Sequence, residues 1–109
     1  MQDEVRPLVC RRTDLGGREA RHSELSRALI AAVTSRDPIA KGYRLAVSAE
    51  KMPFLEVAEW ISLEGVCCPF LDFRLECLRD RDTIRLEISG PEGAREILDV
   101  ELWQKSQAS

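Results

Sequence analysis

The chain is short of most features that announce a function. No apolar run approaches the ~20 residues of a membrane-spanning helix, so no membrane partner is expected. The opening Met1-Gln2-Asp3-Glu4 is acidic and carries no apolar leader core, which makes a cytoplasmic location the expectation. Cysteines are usually reduced in that compartment. Cys10, Cys67, Cys68 and Cys77 follow no C-x-x-C zinc or thioredoxin spacing. Basic residues form no concentrated patch. Arg6, Arg11, Arg12, Arg18, Arg21 and Arg27 are interspersed with Asp14, Glu19 and Glu24, and the net charge is −3. A solvated mixed surface, not nucleic-acid binding, is therefore expected. Gly90 and Gly93 stand in a G-P-x-G run that opens a helix and matches no nucleotide fingerprint. No acid–base or nucleophile–base pair is readable, so no catalytic residue is assigned.

What remains is an ordinary globular composition, 44% hydrophobic and 32% charged over 109 residues. That length suits one domain, residues 1–109, able to build a core without metal or disulfide staples. Alternation predicts strands at Pro7–Arg12, Tyr43–Ser48, Asp72–Leu78 and Thr83–Ser89. The polar Arg79-Asp80-Arg81-Asp82 run suits a hairpin link between the last two. Three-and-four spacing of Leu25, Ala28, Leu29 and Ala32 predicts a helix over Arg18–Val33. Ser35–Gly42, with Asp37-Pro38 inside it, reads as a loop. A second helix runs from Pro53 to Cys67, with Phe54, Val57, Ala58 and Ile61 as its core stripe. Ser89-Gly90-Pro91-Glu92 reads as a capping box that starts a third helix, and the tail after Trp103 as frayed. The predicted order is βαβαββα. It implies an α+β two-layer sandwich with a mixed sheet of four strands and three helices.

Chemistry concentrates at Cys67-Cys68-Pro69-Phe70. Adjacent thiols are poor disulfide partners, because a trans peptide holds their Cα atoms 3.80 Å apart and a disulfide prefers 4.4–6.8 Å. Each thiol packs separately, or both face something external. Pro69 disfavours helical geometry at Cys68, so the second helix should end there. Glu64 precedes the pair by three and four residues, the spacing that brings helical side chains together. A carboxylate and two thiols thus gather at one helix end, with Trp60 and Phe70 near in sequence.

This is a poor place for a nucleophilic thiol. The C-terminal dipole, worth about 0.3–1 kcal/mol, and Glu64 both disfavour a bare thiolate. A coordinated soft cation reverses that balance, because coordination deprotonates a thiol. Thiolates select Cu(I) and Zn(II) over hard ions, and Hg(II) and trivalent arsenic share that softness. Zinc fits less well, since a structural site wants four ligands. His22 lies near the apolar face of the first helix and reads as a packing histidine. Cys10 and Cys77, on inward strand faces, read as small buried hydrophobes.

Leu63, Glu64, Cys67, Cys68, Pro69 and Phe70 spell an L-E-x-x-C-C-P-F motif. Phe73, Leu75, Gly90, Pro91 and Gly93 extend it, and Arg21-His22 and Gly42-Tyr43 add upstream matches. The chain resembles small bacterial proteins of this pattern, found among heavy-metal resistance genes. The resemblance implies handling of a thiophilic metal and carries over no activity. This chain departs from it at Gly65-Val66, where the group often has basic residues.

The sequence reading is thus a small non-catalytic protein that binds a soft metal or metalloid (Hg, As, Cu(I) or Zn) through Cys67 and Cys68. Glu64 is the third partner. Two other readings stand beside it. One is a protein-interaction or regulatory module, or homodimer, with inert cysteines and a patch built on Trp60, Phe70 and Trp103. The other is a thiol oxidoreductase.

Overall fold

Alternation of branched and aromatic side chains with charged ones builds a sheet that is apolar on one face only. The computed structural model describes residues 8–78 and 82–104, with the backbone alone at Arg12, Thr13 and Gln104. A 3₁₀ turn at Arg12–Leu15 leads into helix α1 (Glu19–Ala32). Strands β1 (Val33–Ile39) and β2 (Gly42–Ser48), helix α2 (Phe54–Cys67), strands β3 (Asp72–Leu78) and β4 (Thr83–Ser89), and helix α3 (Ala94–Leu98) follow. A π-helical turn, Asp99–Gln104, continues α3. The four strands run in the order β1-β2-β4-β3, every neighbour antiparallel. The α+β class, the four-stranded sheet and the three helices agree with the sequence reading. The sheet is antiparallel, not mixed.

Opposed residues in adjacent strands set the register: Leu45 faces Leu86, which faces Leu75. Tyr43, Leu45, Val47, Ile84, Leu86 and Ile88 are buried on this face beneath the helices. The opposite face is polar, with Arg44–Glu87 and Arg85–Glu76 ion pairs lying across it. Period-two patterning of this kind leaves one solvated face and one helical layer.

Polar links tie α1 to α2. Arg21 donates twice to the Glu59 carboxylate, at 3.0 and 2.7 Å. Trp60 Nε1 donates to Ser26 Oγ at 3.0 Å. His22 meets Glu64, as described below. Trp60 is fully buried and packs edge-on against Phe73, ring centroids 5.9 Å apart.

Several positions differ from the sequence reading. The fourth strand lies at Val33–Ile39, where a helix end and a loop were predicted. It is an edge strand, which explains why Pro38 fits: an edge can spare a backbone donor. Residues 8–11 of the strand predicted at Pro7–Arg12 are irregular, and Pro7 lies outside the described residues. So do Arg79-Asp80-Arg81 of the hairpin link and residues 105–109 of the tail. The capping box does not form. Ser89 ends β4, and α3 starts at Ala94 behind Gly93, whose φ of 97° lies in the left-handed region.

The buried stripe of α2 is also rotated from the predicted one. Phe54 is substantially exposed, while Val57, Trp60, Leu63, Glu64 and Cys67 point inward. The large Trp60 side chain claims the interior. That rotation carries Glu64 and Cys67, which lie outside the predicted stripe, into the core.

Candidate metal centre

Helix α2 ends where Pro69 requires it. Cys67 is its last residue, and Cys68, with φ −125°, is the cap whose N–H still reaches Glu64 O at 2.7 Å. Cys68 O then accepts from Leu71 N at 3.1 Å, closing a turn that sends Phe70 into the core. The irregular segment before the 3₁₀ turn runs alongside this helix end. It is pinned there by a hydrogen bond from Arg11 N to Cys67 O.

That contact brings in a third thiol. Cys10 Sγ lies 3.0 Å from Cys68 Sγ, which lies 3.9 Å from Cys67 Sγ. All three sulfurs fall within 4.8 Å of one another. Cys67 and Cys68 are buried and Cys10 is half-buried. The three thiols form a group that could hold a metal ion. Cys10 was read from the sequence as an inert core residue. The period-two pattern around it is real, but no strand forms, and only the tertiary contact with α2 reveals its place. Cys77 is exposed, not buried, because it sits on the edge strand β3.

Glu64 does not lie within 4.8 Å of all three sulfurs. Its Oε1 is 2.6 Å from His22 Nε2, and both side chains are almost wholly buried. The sequence placed His22 near the apolar face of α1, where it is found. Its partner on α2, forty-two residues away, was not readable.

The thiols do not share one proton affinity. Cys68 donates to Cys67, and this bond, opposed by burial and by Glu64, lowers the Cys67 pKa from 9.0 to about 7. The same bond, together with burial and Glu64, raises that of Cys68. Burial raises the Cys10 pKa, with Glu101 adding to it. The expectation of a uniformly disfavoured thiolate is therefore corrected at Cys67, where the neighbouring thiol supplies a hydrogen-bond donor that the dipole argument left out. The carboxylates of Glu64 and Glu101 oppose ionisation at Cys67 and at Cys10. Such surroundings favour a bound cation over a bare thiolate.

The aromatic patch imagined for a docking module is absent: Trp60 and Phe70 are fully buried. Trp103 is half-buried beneath the Arg36 guanidinium, 4.3 Å from its ring centroid. No helix among the described residues is long and apolar enough to cross a membrane. Comparisons with family models, curated proteins and solved structures give no match.

Proposed function

We propose that this protein binds a soft, thiophilic metal or metalloid ion through Cys10, Cys67 and Cys68. The observation that carries the reading is the convergence of three sulfurs from two separate segments. Two sulfurs bound at about 2.3 Å to one ion stand about 3.8 Å apart in tetrahedral and about 4.0 Å apart in trigonal geometry; Cys67 and Cys68 already stand at 3.9 Å, and Cys10 has to open from its 3.0 Å approach to Cys68. Three thiolates without a histidine or carboxylate in the set select soft ions. Structural zinc wants a fourth ligand, so three-coordinate Hg(II), trivalent arsenic or Cu(I) suits the group better. Glu64 then serves as an anchor for His22 and a local negative charge. The likeness to L-E-x-x-C-C-P-F proteins among heavy-metal resistance genes supports the same reading.

The test is anaerobic titration of reduced protein with Hg(II), arsenite, Cu(I) and Zn(II). One equivalent should bind tightly, with arsenite or Hg(II) ahead of Zn(II). Cys10→Ser, Cys67→Ser and Cys68→Ser should each lose at least ten-fold in affinity, about 1.4 kcal/mol. Cys77→Ser should bind normally. Equal uptake by the wild type and the Cys67→Ser/Cys68→Ser double variant would refute the proposal.

A further inference from the structure

We infer that Cys10 and Cys68 form an oxidative modification site: a reversible disulfide that a hydroperoxide installs between the N-terminal segment and the end of α2. The two sulfurs are already 3.0 Å apart, about 1 Å beyond the S–S bond length of 2.03–2.05 Å. Side-chain rotation covers such a gap. The segment that carries Cys10 is anchored one residue later, where Arg11 N meets Cys67 O, so the approach is held in place.

The competing pairings are less suitable. Cys67 and Cys68 are adjacent, and every described peptide bond is trans, which holds their Cα atoms too close for an ordinary bridge. Their sulfurs are also farther apart, at 3.9 Å. Cys77 is exposed on β3 and does not belong to the thiol group.

Accessibility assigns the order of events. Cys10 is half-buried, whereas Cys67 and Cys68 are 2% and 1% exposed. Cys10 takes the oxygen first: its thiol and a hydroperoxide ROOH give the sulfenic acid Cys10–SOH and ROH. The Cys68 sulfur then attacks the Cys10 sulfur, the S–O bond breaks, and water leaves with the Cys68 proton. Two thiols are oxidised and one hydroperoxide is reduced, giving one disulfide, ROH and water. A thiol reductant reverses the bond by exchange. The disulfide stands on the sulfur geometry alone. Its consequence, that oxidation removes two of three ligands and ejects the ion, rests on the metal reading.

The experiment treats folded, reduced, metal-free protein with hydrogen peroxide, then counts thiols after denaturation and maps peptides without reduction. Reactive thiols should fall from the four cysteines of the chain to two, with Cys10 and Cys68 linked. Cys67 and Cys68 share a tryptic peptide, so the serine variants decide between them. Cys67→Ser and Cys77→Ser should still form the link, and Cys68→Ser should not. Protein oxidised in denaturant supplies the control of unguided pairing. Retention of four thiols, a dominant link to Cys67 or Cys77, or the same mixture as the denatured control would overturn the inference. Preloading with arsenite separates the two readings. A link that forms equally fast with or without arsenite removes the metal reading and keeps the disulfide. Arsenite binding to the reduced protein, with no link when the arsenite-free protein is oxidised, does the reverse.

Discussion

Removing the Cys68 thiol while leaving the rest of the site intact should push the Cys67 pKa upward. The Cys68 S–H donates to the Cys67 sulfur, and that bond is the largest cause of the fall from 9.0 to about 7. At pH 7 a thiol with that pKa is about half ionised, whereas one at 9.0 is about 1% ionised. Cys68→Ala deletes the donor but leaves burial and the Glu64 and Glu101 carboxylates, all of which oppose ionisation. The Cys67 thiolate should then become at least about fifty-fold scarcer at neutral pH. Cys68→Ser keeps an O–H donor and should hold most of the depression. The assay is ultraviolet thiolate absorbance against pH, in a background carrying Cys10→Ser and Cys77→Ser so that only the pair reports. The folded pKa of Cys67 lies below its unfolded value. Its contribution to stability is thus complete above about pH 9 and lost as the pH falls through about 7. Cys10 and Cys68 are raised, so theirs is present below pH 9 and lost as the pH rises. If Cys68→Ala and Cys68→Ser titrate alike, with Cys67 still near 7 in both, the hydrogen bond is not the cause and the reasoning fails.

Three further outcomes follow from the packing. A Cβ at Gly42 would stand 1.8 Å from the Ile88 carbonyl oxygen and 2.7 Å from Ser89 Cα, a clash of backbone with backbone. Gly42→Ala should cost about 3 kcal/mol, read from the urea midpoint, and a cost under 1 would contradict the β2–β4 register. Glu64→Ala removes the carboxylate that His22 meets at 2.6 Å, so a loss of about 1–3 kcal/mol is expected, with Glu64→Gln costing less. Equal costs would show that the bond contributes nothing. A disulfide between Cys10 and Cys68 would close a 58-residue separation, so peroxide-oxidised protein should gain up to ~4 kcal/mol in denaturant unfolding. A loss on oxidation would mean that the bridge strains the fold.

The helices and three of the strands were legible because their signals are local. Leu25, Leu29 and Ala32 repeat at helical spacing, and Ile84, Leu86 and Ile88 alternate. Those patterns survive into the structure because burial rewards them directly. β1 was not legible: its interior positions are exposed, so selection for alternation is weak, and Asp37-Pro38 imitates a loop. The stripe of α2 was misplaced for a different reason. A wheel weighs Phe54 and Trp60 by hydrophobicity, but which face turns inward depends on what α1 and β3 offer. Here Ser26 and Phe73 receive Trp60. The vicinal cysteines drew attention by themselves, whereas Cys10 gave no signal, because a contact across fifty-eight residues leaves no spacing to read.

That distant contribution changes what the motif can mean. A vicinal pair at a helix end is already in place once α2 forms, so on its own it would bind with little dependence on the rest of the fold. Adding Cys10 makes the site a closure between the segment before α1 and the terminus of α2, held in the free protein by the Arg11 N–Cys67 O bond and the packing of Leu15. An ion that bridges Cys10 to the pair only in the folded protein would draw the equilibrium toward the fold. Binding and folding then share one free energy, and stability should rise with ion concentration by RT ln(1 + [L]/Kd), about 2.7 kcal/mol at one hundred times Kd. The same closure explains why the half-buried sulfur belongs to the segment and the buried ones to the helix. On the proposed reading, the helix would supply rigid ligands beneath the surface, and the segment the one that an incoming ion or oxidant meets first.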